Sequence, residues 1–141
     1  MYRAEGGFSS YLYIQEGDSI IAPNGVEAKV VKKIDGNAYD GLPIYSNTSK
    51  IYLKKVDGKI VQARIYNNRK PVVDLDWNHE HTNKKSKEKF SDGIVHVHEW
   101  IRNTKGEWVR DERHARYMNN DEMSTYSNLL NMLNSKIKFR P

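Results

Sequence analysis

Alternation of apolar and polar residues marks three strands in the centre of the chain. In the runs 59–66, 72–77 and 94–101, valine, isoleucine, leucine, alanine or tryptophan recurs at alternate positions of one face, except for Glu99 in the third run. Successive side chains of a strand point to opposite faces of a sheet, so each run has one apolar and one polar face. The pattern therefore predicts three strands, each of which buries one face.

Turn signals connect these strands to further short strands. Asp57-Gly58 lies between two β-patterned runs and predicts a hairpin, because a type I′ turn needs positive φ at both central residues. Residues 78–92 are a long polar connection for which we predict no regular element. Further strands are predicted at Tyr11–Ile14, Ser19–Ala22, Val26–Ile34, Lys50–Val56 and Glu107–Arg110.

The end of the chain carries the pattern of a helix. Asn119 or Asn120 can cap its N-terminus, and two acidic residues follow in the first turn. The spacing predicts a helix over residues 119–138. The apolar residues on one face of this helix are Met123, Tyr126, Leu130, Leu133 and Ile137.

These elements predict one α+β domain over residues 1–141: an antiparallel β-sheet of about five to seven strands with one C-terminal helix packed on it. Within it, residues 1–45 form a candidate small β subdomain and residues 46–118 the central sheet. Hydrophobic residues make up 38% of the chain and aromatic residues 11%, so we expect a small core that is rich in rings.

Composition removes several classes of protein. The chain has no cysteine, which excludes a disulfide scaffold, a thiolate zinc site and a cysteine nucleophile. No apolar run approaches the roughly 18 residues of a spanning helix, and the first residues lack the apolar core of a signal peptide. The sequence therefore predicts no membrane partner.

Charge is distributed unevenly along the chain. The net charge is +5, but residues 1–45 hold four basic and six acidic side chains, whereas residues 46–141 carry the whole positive excess. Such a basic segment either contacts a phosphate-bearing partner or is a solvated face. The candidate contacts to nucleic acid or a partner are Lys84, Lys85, Lys87, Lys89, Arg110, Arg113 and Arg116.

The polar faces of the three central strands collect groups capable of acid–base chemistry. If these strands are neighbours, burial of their apolar faces aligns the polar ones on a single surface. In a catalytic interpretation, His96 and His98 are the acid–base pair, Asp74 or Asp76 orients them, and Arg64 stabilises negative charge. This set suits metal-free RNA cleavage through attack of a 2′-hydroxyl. In a structural interpretation, the same residues form ordinary ion pairs on a solvated sheet face.

Four of the five histidines fall within 20 residues, in two His-x-His pairs. Histidine is the commonest metal ligand, so a divalent metal site is a third interpretation, with an aspartate of the preceding strand completing the ligand set. No His-Glu-x-x-His zinc helix is present. The catalytic and structural interpretations need no cofactor. The candidate metal ligands are His79, His81, His96 and His98.

Part of the chain, about a third, resembles small domains of phages and integrated mobile elements that are encoded beside or fused to minor head proteins. It also resembles toxin cassettes of bacterial polymorphic secreted systems, some of which are RNases. This resemblance implies a mobile-element origin and assigns no catalytic residue. It is carried by Asp74-x-Asp76-Trp77, His79-x-His81 and His96-x-His98-x-Trp100.

We therefore expect a phage- or mobile-element-encoded basic protein that acts on nucleic acid as an RNase-like toxin, in the cytoplasm of the bacterial host. The alternative is a non-enzymatic phage protein. It would be a virion component, or an inhibitor that docks on a host nucleic-acid-binding protein.

Overall fold

The computed structural model describes residues 2–3, 17–31, 42–46 and 51–141. Its elements are ten strands and one helix. The strands are β1 (Tyr2–Arg3), β2 (Ser19–Ile21), β3 (Glu27–Val30), β4 (Ile51–Val56), β5 (Lys59–Asn67), β6 (Lys70–Asp76), β7 (His81–Thr82), β8 (Lys89–Phe90), β9 (His96–Arg102) and β10 (Trp108–Arg110). The helix α1 spans Asn120–Leu133.

Eight strands form one sheet in the order β1-β2-β3-β4-β5-β6-β9-β10. Neighbours are antiparallel except for the β1/β2 and β3/β4 pairs, which are parallel. Apart from the two-residue strand β1, the sheet has seven strands, within the predicted number. The predicted α+β class, with a mostly antiparallel sheet and a C-terminal helix, is confirmed.

The apolar face of the sheet and the helix share one core. Val73, Leu75 and Trp77 are buried there as alternation predicts, together with four apolar residues of α1. Strands β2 and β3 contribute Ile20 and Val30 to the same core. The described residues 17–31 therefore extend the central sheet, since β3 pairs with β4.

The central hairpin turn has the geometry that its sequence predicts. Asp57 has a φ of 50° and Gly58 a φ of 80°, and the turn joins β4 to β5. The strand predicted at Tyr11–Ile14 lies outside the described residues, as do residues 32–34 of a second one.

Residues 78–92, for which no element was predicted, contain a second small sheet. Strands β7 and β8 form an antiparallel hairpin that pairs His81 with Phe90 and Thr82 with Lys89. Phe90 is fully buried and holds the hairpin against the protein. The prediction of an unstructured connection was therefore wrong, because two-residue strands leave no readable alternation.

Helix α1 ends earlier than predicted. It stops at Leu133, and Asn134 has extended backbone angles, so the segment 134–138 is not helical. Ile137 is nevertheless buried, because Lys138 continues beside Ile94 in an isolated parallel bridge. Among the described residues, no helix is long and apolar enough to cross a bilayer.

A capping box fixes the start of α1, and its N-cap is Asn119, one of the two predicted caps. The Glu122 backbone N–H donates to Asn119 Oδ1 (2.8 Å), and the Asn119 N–H donates to Glu122 Oε1 (2.9 Å). We expect Asn119→Ala to lower the free energy of unfolding by about 1 kcal/mol, because a backbone donor loses its partner. Urea denaturation measures this difference. Asn128→Ala, at an exposed helical position, is the control and leaves stability unchanged or slightly higher. Equal losses in both variants would contradict the capping role.

Candidate metal centre

The register of the sheet places the predicted polar residues on one face. Arg64 pairs with Asp74, which pairs with His98, and Asp76 pairs with His96. The structure thus brings all five together, as alternation and strand adjacency predict. It also buries them: the exposed fraction is 6% for Arg64 and 0 to 2% for the other four. A solvated sheet face, on which the structural interpretation relied, is therefore ruled out.

Three segments pack against this polar face. The β7–β8 hairpin contributes Phe90, whose ring centroid lies 5.7 Å from that of His96. Residues 42–46 approach from another side, where the carbonyl of Leu42 accepts a hydrogen bond from Arg64. The segment after β10 places the carbonyl of Asp111 against His98.

Asp74 is the centre of a hydrogen-bond network within this face. Its carboxylate accepts from Arg64 Nε (2.6 Å) and Nη2 (2.9 Å), and from Gln62 Nε2 (2.7 Å). It also accepts from Trp100 Nε1 (3.0 Å) and Arg110 Nη1 (3.3 Å). The remaining Arg64 Nη1 donates to the backbone carbonyls of residues 42 and 43. These contacts favour a scaffolding role for Arg64 and Asp74; their catalytic role stays a prediction.

The four predicted metal-ligand histidines converge at one end of the same face. Ring centroids lie 4.8 Å apart for His81 and His98, 5.2 Å for His96 and His98, and 5.4 Å for His81 and His96. His79 lies 5.0 Å from His96. The convergence depends on the β7–β8 hairpin, which folds back over β9.

Two overlapping groups of side chains have metal-ligand spacing. One ring nitrogen from each of His81, His96 and His98 lies within 4.8 Å of the other two. Ligand atoms of Asp76, His79 and His96 meet the same limit. Because Zn–N bonds are about 2.0–2.1 Å long, ligand atoms of one zinc ion lie no more than about 4.2 Å apart, so the side chains of either group must come closer together than this limit to bind one ion.

Buried atoms without hydrogen-bond partners concentrate in this cluster. Within the described part of the chain, both ring nitrogens of His96, Nε2 of His98 and Oδ1 of Asp76 are buried and make no hydrogen bond. An unpaired buried polar group destabilises a protein by about 1–3 kcal/mol, so native proteins hold few of them. One nitrogen of the neutral His96 ring carries a proton, so the cluster offers three unpaired acceptor atoms beside one N–H, a set that suits a cation.

The hydrogen bond of His98 determines which of its nitrogens is free. Nδ1 lies 2.9 Å from the Asp111 carbonyl, which can only accept, so Nδ1 carries the proton. Nε2 lies 3.7 Å from Asp76 Oδ2, which in turn accepts from Arg110 Nη1 at 3.0 Å. In the neutral ring the lone pair therefore belongs to Nε2, which is buried and has no hydrogen-bond partner.

Burial sets the protonation of the innermost groups. Burial, with the neighbouring imidazoles, lowers the pKa of His96 to about 3; the nearby Ile94 carbonyl opposes this shift without hydrogen-bond geometry. His96 is therefore neutral at physiological pH, which suits a metal ligand better than a general acid or base. Burial also raises the pKa of Asp76, an effect that the Arg110 guanidinium partly offsets.

The predicted basic residues differ in their availability to a partner. The side chains of Arg110 and Arg116 are engaged by carboxylates, including Glu112 at 2.5 Å and Glu122 at 2.7 Å. Arg113 is exposed. The lysines of the β7–β8 hairpin are exposed and follow His81 within eight residues: Lys84, Lys85, Lys87 and Lys89. Lys89 also lies 3.6 Å from Glu80.

The fold and the site define an α+β protein whose sheet carries a buried, histidine-rich polar centre. No family model, no curated protein and no solved structure matches this chain. The resemblance to phage and toxin domains stays a prediction.

Proposed function

We propose that this protein is a metal-dependent hydrolase that acts on the phosphodiester bonds of nucleic acid. The observation that carries the proposal is the cluster of buried, unpartnered ring nitrogens from His96 and His98, beside His81. Neutral imidazoles at this spacing are the ligands that zinc and similar divalent ions prefer.

The cluster is open on one side, which favours a catalytic centre over a structural one. His96 and His98 are fully buried, His81 is half-buried and His79 is exposed. A structural zinc site is closed by four protein ligands, whereas a catalytic site has three and leaves a position for water or substrate. A divalent ion in such a site supplies Lewis-acid polarisation and lowers the pKa of a bound water molecule.

Each residue of the centre then has a distinct task. His81, His96 and His98 hold the ion. His79 lies on the solvent side, 5.0 Å from His96, where its imidazole can move a proton to or from a substrate. Asp76 Oδ2 lies 3.7 Å from His98 Nε2, where a carboxylate favours binding of a cation.

Charge supports nucleic acid as the substrate. The chain carries a net charge of +5, and four exposed lysines lie on the hairpin that contributes His81. Contacts of lysine with phosphate position a strand without reading its bases.

We propose, on the resemblance described above, a phage or mobile-element protein that acts in the bacterial host.

Cleavage of end-labelled RNA and single-stranded DNA by the pure protein tests this function. We expect cleavage that EDTA abolishes and that added zinc or manganese restores. Cleavage that persists in EDTA would instead support the metal-free pair of His96 and His98. No cleavage by the folded, metal-loaded protein would contradict the hydrolase.

A second candidate function is a non-enzymatic phage protein that docks on nucleic acid or on a host nucleic-acid-binding protein. The observation that favours it is the burial of the polar sheet face, beside which four lysines of the hairpin stay exposed. Binding of RNA without cleavage, under conditions where the protein holds its metal, would make this function the better one.

We expect loss of the hairpin lysines to weaken binding of single-stranded nucleic acid. The triple variant Lys84→Gln, Lys85→Gln, Lys87→Gln should bind about ten- to a hundredfold more weakly at low salt. Its salt dependence should fall by about two in the log–log slope, because three phosphate contacts are lost. Fluorescence anisotropy measures both quantities. The control has the same charge change at three exposed lysines elsewhere: Lys59, Lys105 and Lys136. Equal losses in the two variants would show that net charge alone matters.

A further inference from the structure

Asn83 is a buried polar residue beside the metal-ligand candidates. It follows His81 by two residues in the turn of the β7–β8 hairpin, and only 3% of it is exposed. The sequence pattern gave it no role. Its side chain nevertheless links the hairpin to Ala115, 32 residues away.

The contacts of Asn83 leave its amide with one orientation. Its Nδ2 donates to the Ala115 carbonyl at 2.9 Å, and the Ala115 N–H donates to Oδ1 at 3.0 Å. A carbonyl can only accept and an N–H can only donate, so rotating the amide by half a turn would break both bonds. Oδ1 is therefore held as an acceptor next to His81.

Asn83 Oδ1 determines which ring nitrogen of His81 carries the proton. Nε2 of His81 lies 3.0 Å from Asn83 Oδ1 and must carry the proton to make this bond. In the neutral imidazole, the lone pair then belongs to Nδ1. In His98 the two ring nitrogens have the opposite roles. Nδ1 of His98 carries the proton, because it donates to the Asp111 carbonyl.

We infer that Asn83 is a positioning residue of the metal centre, which fixes the ring of His81 so that it binds the ion through Nδ1. The inference rests on the proposed metal site. Metal-ligating histidines usually donate their second nitrogen to such a partner, and removal of the partner weakens metal binding by about 10- to 100-fold. The two hydrogen bonds between Asn83 and Ala115 also attach the β7–β8 hairpin to the segment after β10, and this attachment places His81 over β9.

Zinc affinity of chelator-stripped protein, measured by competition with a chromophoric chelator, tests the inference. We expect Asn83→Ala to bind zinc about 10- to 100-fold more weakly than the wild type. Asn83→Asp should recover only part of this loss, because a carboxylate also accepts from His81 Nε2 but cannot donate to the Ala115 carbonyl. The matched control is Asn103→Ala, which removes an amide that caps the β9–β10 turn through the N–H groups of residues 105 and 107. It should leave the zinc affinity unchanged.

A double-mutant cycle separates positioning from general destabilisation. If Asn83 acts through His81, then Asn83→Ala should lower zinc affinity in the wild type but not in a His81→Ala background. Equal losses in both backgrounds would overturn the inference and leave Asn83 as a structural clamp. Thermal unfolding of each variant in EDTA reports the structural contribution independently.

A measurement on the wild-type protein tests the inference about His81 even if Asn83→Ala fails to fold. Two-bond ¹⁵N–¹H correlation spectra of the imidazole rings should show His81 protonated at Nε2, with Nδ1 shifting when zinc is added. Protonation at Nδ1, or zinc at Nε2, would overturn the inference. Failure of the wild type to bind zinc would contradict the proposed function itself, whereas normal zinc binding by Asn83→Ala would contradict only the role of Asn83.

Discussion

His96→Leu should weaken binding of a divalent metal by about a thousandfold while leaving the metal-free protein at least as stable as the wild type. His96 belongs to both groups with metal-ligand spacing, and its two ring nitrogens are buried without partners. Zinc-binding free energies of about 10–16 kcal/mol, shared among three or four ligands, imply a loss on the order of a thousandfold for one ligand.

The effect on stability has the opposite sign from that of an ordinary core substitution. Leucine fills nearly the volume of histidine and removes two unpaired buried nitrogens, each of which destabilises the protein by about 1–3 kcal/mol. We therefore expect the free energy of unfolding in EDTA to stay the same or to rise by up to about 2 kcal/mol. Phe90 lies beside the ring and provides an apolar neighbour.

Zinc titration and urea denaturation in EDTA measure the two effects on the same sample. His114→Leu is the control, because the His114 side chain is 73% exposed and bonds the carboxylate of Asp111 rather than the carbonyl that His98 contacts. It should change neither zinc affinity nor stability appreciably. A His96→Leu protein that binds zinc normally, or that loses several kcal/mol without metal, would show that the cluster is a structural hydrogen-bond network.

Asp74→Asn should destabilise the fold more than any surface substitution. Asp74 is fully buried and accepts five hydrogen bonds from four residues. Asparagine keeps the shape but removes the charge that balances Arg64, which is 6% exposed. Breaking a buried ion pair on one side lowers the free energy of unfolding by about 3–5 kcal/mol, because the remaining charge stays desolvated.

Urea denaturation in EDTA measures this loss without a contribution from metal. Asp57→Asn is the control; it lies in the exposed turn, where asparagine also adopts positive φ, and should change stability by less than about 0.5 kcal/mol. Adding Arg64→Met to Asp74→Asn should recover part of the stability, since the unpaired charge is removed. If Asp74→Asn lowered the free energy of unfolding by less than about 1 kcal/mol, solvent would have to reach the Arg64–Asp74 pair.

Much of the fold could be predicted because its signals are local. Alternation in β5, β6 and β9 fixes which residues face the helix, and so places Arg64, Asp74 and His98 in one row. Asp57-Gly58 and the Asn119 cap each act within four residues. A face that is polar in sequence is, however, not necessarily exposed, and here its burial depends on contacts with distant segments.

The rest of the site could not be predicted because it depends on irregular segments. The carbonyls of Leu42 and Asp111 receive hydrogen bonds whatever their side chains, so no residue pattern marks them. The β7–β8 hairpin has strands of two residues, and it alone brings His81 over His96. Asn83 resembles any other turn asparagine until its contacts with Ala115 are known.

X-ray absorption spectroscopy of the protein loaded with one equivalent of zinc tests the metal centre most directly. We expect one tightly held ion with three imidazole nitrogens at about 2.0–2.1 Å and one further light-atom ligand. A protein that retains no zinc after buffer exchange, or zinc surrounded by water oxygens alone, would contradict a metal centre formed by His81, His96 and His98.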